Sequence, residues 1–165
     1  MIKKNLIIIF FAFFITAAYS ASTSSGGGEA GGNDGPPPAK NYKLGYKELK
    51  RAEKLDKKGK IEKAKLKYKK ALKFLLEANA ENPGNPDTLY YLGFTSAKLE
   101  KYDNAEIYYL LALEMEPNHI DVYKYLGELY LATDRKAKAI EKLEILKSCN
   151  CEEYDELKEL IEKKE

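Results

Sequence analysis

The chain is poor in the residues that chemistry most often uses. Its 165 residues include one histidine, two cysteines, two methionines and no tryptophan. The lone His119 has no serine or acid placed beside it by a recognisable motif, so a Ser–His–Asp arrangement cannot be assembled. No glycine-rich turn opens a helix: Gly26-Gly27-Gly28 lies in a stretch with no helical pattern after it, so a phosphate cradle has no context. No acids alternate around a central glycine as a calcium loop requires, and two cysteines without further soft ligands do not make a zinc site. Net charge of one sign is missing too. Setting aside residues 1–20 leaves 26 basic against 26 acidic residues, which argues against general nucleic-acid binding. These absences point to a protein without catalytic machinery, cofactor or metal.

The longest apolar run, Leu6 to Ala18, has 13 residues, short of the roughly 20 that a bilayer-spanning helix needs. It follows Lys3 and Lys4 and precedes Ala17-Ala18-Tyr19-Ser20-Ala21. Basic, apolar, then small is the order of an export signal. Cleavage is expected after Ser20, with retention as an anchor the alternative, and the expected destination is the periplasm or the exterior. Residues 21–41 hold Gly, Ser and Pro with almost nothing apolar to bury, so ordering them would recover none of its entropic cost. They are expected to form a disordered tether, stiffened at Pro36–Pro38.

From residue 42 onward apolar residues recur at spacings of three and four, without the alternation of strands. Breakers at Gly59, at 82–86, at Pro117-Asn118 and at 149–151 divide the chain into helices near 44–57, 61–79, 86–99, 103–115, 120–132, 136–147 and 152–163. Asn85 suits an N-cap, with Pro86 at the first helical position.

The chain then repeats itself. At an offset of 34, Asp87, Tyr91, Leu92, Gly93 and Ala105 fall on Asp121, Tyr125, Leu126, Gly127 and Ala139. One unit reads Leu89, Leu92, Gly93, Ala105, Tyr109, Ala112, Pro117. The next reads Tyr123, Leu126, Gly127, Tyr130, Ala139, Leu143. Glycine and alanine let two helices approach while large neighbours fill the grooves. The pattern resembles the tetratricopeptide repeat, a 34-residue helix–turn–helix unit. It departs at Ser96, where that family carries an aromatic, and at Leu146 and Cys151, where alanine and proline are usual. A degenerate unit precedes, with Gly59, Ala64, Tyr68 and Ala71 in place but Glu48 and Arg51 where large apolar residues belong. Ala64 lies 41 residues before Ala105, so its second helix should be two turns longer. Tyr154, Leu157, Leu160 and Ile161 suit a capping helix. The resemblance implies an all-α solenoid over 42–165, with repeats at about 45–82, 86–119 and 120–151 and a cap at 152–165. Gly93 and Gly127 are expected at equivalent close crossings.

The resemblance also implies a partner-binding groove formed by the first helices of the units. Its positions would be Asp87, Tyr90, Tyr91, Phe94, Lys98, Asp121, Lys124, Tyr125 and Glu128. Tyr90, Tyr91 and Phe94 are either anchors for a protein partner or, for Tyr91 with Tyr125, seals between helices. Acids among its lysines argue against the carboxylate-reading groove known in the family.

Cys149 and Cys151 are close enough for a local disulfide if Asn150 turns. Buried thiols and a redox-active pair, in a thiol-handling accessory protein, are the other readings. Finally, residues 41–80 carry 14 Lys/Arg against 5 Asp/Glu, and residues 81–165 carry 11 against 19. The basic first hairpin either provides solubility or meets an acidic surface, including that of another copy in weak self-association.

Overall fold

The computed structural model describes residues 40–164. The leader and most of the tether expected from the sequence lie outside them. Seven helices follow in order: α1 (Lys40–Asp56), α2 (Ile61–Glu81), α3 (Pro86–Lys98), α4 (Tyr102–Met115), α5 (Ile120–Ala132), α6 (Lys136–Leu146) and α7 (Glu152–Glu162). There is no strand among the described residues. Helix α1 takes in Lys40 and Asn41, which by composition belong to the tether. Asn41 donates from Nδ2 to Oε1 of Glu81 at 2.6 Å, so the hairpin ties down its own start.

The helices pair as α1 with α2, α3 with α4 and α5 with α6, and α7 closes on α5 and α6. Each hairpin tip is the same turn. Gly59, Glu100 and Asp134 stand in the left-handed region, at φ 67°, 61° and 56°. One residue later the amide returns to the carbonyl five positions back: Lys60 to Leu55 at 3.0 Å, Lys101 to Ser96 at 2.9 Å and Arg135 to Tyr130 at 2.7 Å. This is the Schellman closure, which satisfies carbonyls that a helix end leaves free. Only the first tip is a glycine, so composition reveals one of the three. Measured from the tips, α2 matches α4 residue by residue and then runs on, having 21 residues against 14. Its two extra turns therefore lie at the end away from the tip.

The core forms two clusters. One gathers Leu49, Ala52, Ala64, Tyr68, Ala71, Leu75, Leu92 and Phe94. The other runs from Leu89, Tyr109 and Ala112 through Val122, Leu126 and Tyr130 to Leu157 and Ile161. Helix α3 feeds both, because it is buried on two sides. Asn85 caps it, accepting from the Thr88 amide at 2.8 Å, with Pro86 at the first position. Glu48, at a position the repeat reserves for an apolar side chain, is buried and accepts from Lys67 at 2.9 Å and from Arg51. The Lys67 bond, opposed by burial and helped by Arg51, holds its carboxyl below the usual range. A charged trio thus replaces apolar contact at the open edge of the first hairpin.

The close crossings are not equivalent. A Cβ on Gly93 would meet the ring of Tyr109 in its own hairpin, at 2.5 Å from Cδ1. On Gly127 it would meet Leu157 of α7, at 2.6 Å from Cδ2. The position of Tyr109 falls in the third hairpin on Leu143, which is smaller and only half-buried, and the capping helix fills the notch instead. Cys149 and Cys151 are joined by a disulfide with Cα atoms 5.2 Å apart, and Asn150 between them has φ 50°. The bridge closes the turn that sends α7 back onto α5.

The two glycines should respond differently to Ala. In Gly93→Ala the buried Tyr109 ring cannot yield, and overpacking of about 1–3 kcal/mol outweighs the helix-propensity gain of about 1 kcal/mol. In Gly127→Ala the end of Leu157 can turn aside, and stability should change little. Denaturant melts of the two variants check this, and equal losses would contradict it.

Candidate functional site

Helices α1, α3, α5 and α7 line one face of the array. A cleft of about 450 Å³ opens there between Glu53 and Asp56 of α1, Lys57 in the turn after it, Tyr68 of α2, Phe94 and Lys98 of α3, Lys124, Tyr125 and Glu128 of α5, and Glu156, Glu159 and Leu160 of α7. Five of the nine positions expected in the groove, Phe94, Lys98, Lys124, Tyr125 and Glu128, are in it. Asp87, Tyr90, Tyr91 and Asp121 lie nearer the N-terminal ends of α3 and α5, outside the cleft.

The aromatic residues form one continuous strip. Tyr42 and Tyr46 stack at 6.5 Å between centroids, and Tyr46 meets Tyr91 at 5.3 Å. Tyr91 meets Tyr90 at 4.8 Å, and Tyr90 reaches Tyr125 at 5.9 Å and the His119 ring at 5.1 Å. Phe94 abuts Tyr125 edge-on at 5.0 Å. These are distances at which rings attract. Phe94 is only 6% exposed, so it is packing material between the first hairpin and Tyr125 of α5. Tyr90 is half-buried at the centre of four ring contacts. The exposed ring is Tyr46, at 37%, on the helix that the sequence reading starts near residue 44 and the structure starts at Lys40. His119 is the N-cap residue of α5 but makes no side-chain capping bond.

Charge overlies the rings. Lys50 lies 5.4 Å from the Tyr46 centroid, Lys98 5.4 Å from Phe94 and Lys124 4.4 Å from Tyr125, all within cation–π range. Lys98 also reaches Asp56 at 3.8 Å, and Asp56 accepts from the Tyr68 hydroxyl at 3.4 Å. Lys124, buried between α5 and α7, serves two carboxylates, Glu156 in a direct bond and Glu128 at 3.7 Å. Burial pushes its ammonium down, but the Glu156 bond, Tyr125 and Glu128 raise it further. Burial pushes the Glu128 carboxyl up against the pull of Lys124 and Lys98. Burial also raises Tyr91, and Tyr42 to about 12, with Asp87 among the causes for both.

Sequence reading missed the contributions of α1 and α7. Helix α7, the expected cap, also stands where a further first helix would stand, and Glu156, Glu159 and Leu160 complete the wall. The signal for α1 was present in Tyr42 and Tyr46, four residues apart and hence on one helix face. Among the described residues no group of three His, Cys, Asp or Glu is placed to hold a metal ion. The arrangement is suited to contact: a rigid aromatic floor, ammonium groups held over it, and carboxylates along the rim.

Glu128 gives this face a pH signature. Its native pKa is raised, so the folded state binds more protons than the unfolded one across the interval between the two values. Stability is then lost as pH rises through that interval. Glu128→Gln should melt higher than the parent near pH 7, and the difference should shrink to nothing near pH 4, below the ordinary glutamate value of about 4.3. A lower melting point near pH 7 would show that the Lys124 pair outweighs burial.

Comparison with known proteins agrees with this geometry. The model of a tetratricopeptide repeat matches residues 108–141, a window running from α4 through α5 into α6. The chain is 32% identical over 102 residues to the Sol locus transcriptional repressor of Clostridium acetobutylicum. That match covers 56% of this chain and 32% of the repressor, so the chain spans about a third of that relative. Among solved structures it is similar to the first tetratricopeptide domain of Spaghetti (RPAP3) bound to the HSP90 peptide SRMEEVD. The TM-score is 0.55 at 21% identity, covering 74% of this chain and 93% of that one. It is also similar to a double mutant of MamA RS-1, with a TM-score of 0.54 at 22% identity, covering 69% of this chain and 58% of that one. The recurring tip, the paired helices and these likenesses agree: the described residues form an all-α solenoid of the tetratricopeptide type, and residues 108–141 match that family's repeat.

Proposed function

We propose that the chain is a non-catalytic adaptor that holds a segment of a partner protein along the face formed by α1, α3, α5 and α7. Proteins of this family bind protein partners. One observation carries the assignment to this face: the cleft has a pre-packed aromatic floor bordered by exposed apolar and charged side chains. A floor already rigid before binding costs little entropy to use. The RPAP3 domain, alike in fold, is bound to a peptide, which supports the mode. Its acid-rich ligand is not carried over, because five carboxylates line this cleft against three lysines. A second copy of the chain is a further partner in this reading, given the opposite charges of the first hairpin and the remainder.

Leu160, which lines the cleft, and Tyr46, the exposed ring of the adjoining aromatic strip, are the side chains with which to test the face, since they are 38% and 37% exposed. The variant Tyr46→Ser/Leu160→Ser should fold as the parent does and lose most of the partner captured from native extract. Leu66→Ser, on a residue 60% exposed on α2 and outside both the cleft and the aromatic strip, should keep it. Equal capture by all three would remove the concave face from the account.

We further propose that the adaptor works outside the cytoplasm, most simply in a bacterial periplasm. The order of Lys3-Lys4, the run Leu6 to Ala18 and the small residues after it supports export, and an oxidising compartment suits the Cys149–Cys151 bridge. Intact-mass measurement of the exported chain should give a polypeptide beginning at Ala21, lighter by two hydrogens than its reduced form. A chain that starts at Met1 in the membrane fraction would contradict cleavage.

A further inference from the structure

The first hairpin has an edge with no neighbour among the described residues. A pocket of about 320 Å³ lies there, lined by Arg51, Lys54, Leu55, Lys58, Lys60 and Lys67. Glu48 and Arg51 precede Leu89 and Leu92 by 41 residues, and Leu92 of the second hairpin packs into the cluster of the hairpin before it. In the first hairpin the same helix face is therefore the one a preceding unit would cover. Arg51 and Lys67 are engaged by Glu48. Lys54, Lys58 and Lys60 form no ion pair among the described residues, and Lys60 is the N-cap residue of α2, with no side-chain cap. Three unpaired ammonium groups thus surround a half-buried leucine.

The opposite end of the array is its counterpart. Helix α7 opens with Glu152, Glu153 and Asp155, none of them ion-paired, and Glu152 and Asp155 are exposed. Three carboxylates in the first turn outweigh the roughly half positive charge of the helix terminus. The charges are also segregated along the chain, with an excess of nine basic residues over 41–80 and eight acidic over 81–165.

We propose that the chain associates head to tail, the first turn of α7 of one copy seating against the Lys54–Lys58–Lys60 pocket of the next. The number of unpaired charges is matched at the two ends, and both lie at ends of the solenoid, so the same contact repeats. It is a heterologous contact, which extends into an open row unless its rotation closes a ring. Apart from the self-partnering already proposed, it is independent of the concave-face reading, because neither surface belongs to the cleft.

Sedimentation velocity of the exported chain tests it. The average mass should climb with concentration at roughly 0.01 M salt and fall to a single chain at roughly 1 M, as the screening length drops from about 30 Å to 3 Å. Lys54→Glu/Lys58→Glu and Glu152→Lys/Asp155→Lys should each stay monomeric. Mixed in equal amounts they should associate again, because the acidic helix end of one meets the basic pocket of the other and the reversed charges of the remaining two surfaces match as well. The chain carrying all four changes should associate again. Tyr46→Ser/Leu160→Ser should associate like the parent, which keeps failure of the concave face distinct from failure of the end contact. A parent that remains monomeric at low salt, including one that binds anionic vesicles instead, would overturn the proposal. So would association that persists at high salt, or reversal variants that assemble like the parent.

Discussion

The approach of a glycine backbone to a tyrosine ring, at Gly93 and Tyr109, sets the geometry of the middle of the molecule. With no side chain on Gly93, α3 and α4 come close enough for a fully buried ring to fill the gap between them. That closeness lets α3 be buried on both flanks, giving Leu92 to the first hairpin and Leu89 to the third. A helix enclosed on both flanks is therefore the one on which the aromatic strip is centred. Tyr90, Tyr91 and Phe94 owe their fixed positions to contacts made on the opposite side of the same helix.

Much of this was legible in the order of residues. The helices, the capping by Asn85 and Pro86, and the 34-residue recurrence follow from local chemistry, which sequence displays directly. The recurrence of the tip itself was hidden, because Glu100 and Asp134 adopt the left-handed conformation that Gly59 advertises. Their identity says nothing of it; the backbone closure around them requires it. The crossing at Gly127 was also beyond reading. The repeat pattern places α6 there, and only the half-buried Leu143 and the disulfide-closed turn bring Leu157 in its place.

The groove shows the same division. Periodicity identified the inward face of α3 and α5, but could not tell which rings on that face face solvent. Phe94 and Tyr90 are consumed by packing because they sit between two first helices, whereas Tyr46, at the edge of the array, retains a free side. Lys124 illustrates the electrostatic counterpart. In sequence it is one lysine among 28 basic residues. In the fold it is the shared counter-ion of carboxylates on two helices, joining the last hairpin to its cap.

The three tips have a consequence for how such a chain can change length. Because each hairpin is anchored at its turn, register is counted from there, and α2 gains its two additional turns at the far end without disturbing Tyr68 or Ala71. Material added in whole helical turns next to an inter-hairpin loop lengthens a rod and preserves its facing surfaces. The same addition beside Gly59, Glu100 or Asp134 would shift every contact beneath it. Growth is tolerated on one side of the solenoid and forbidden on the other, and the first hairpin records an instance of the tolerated kind.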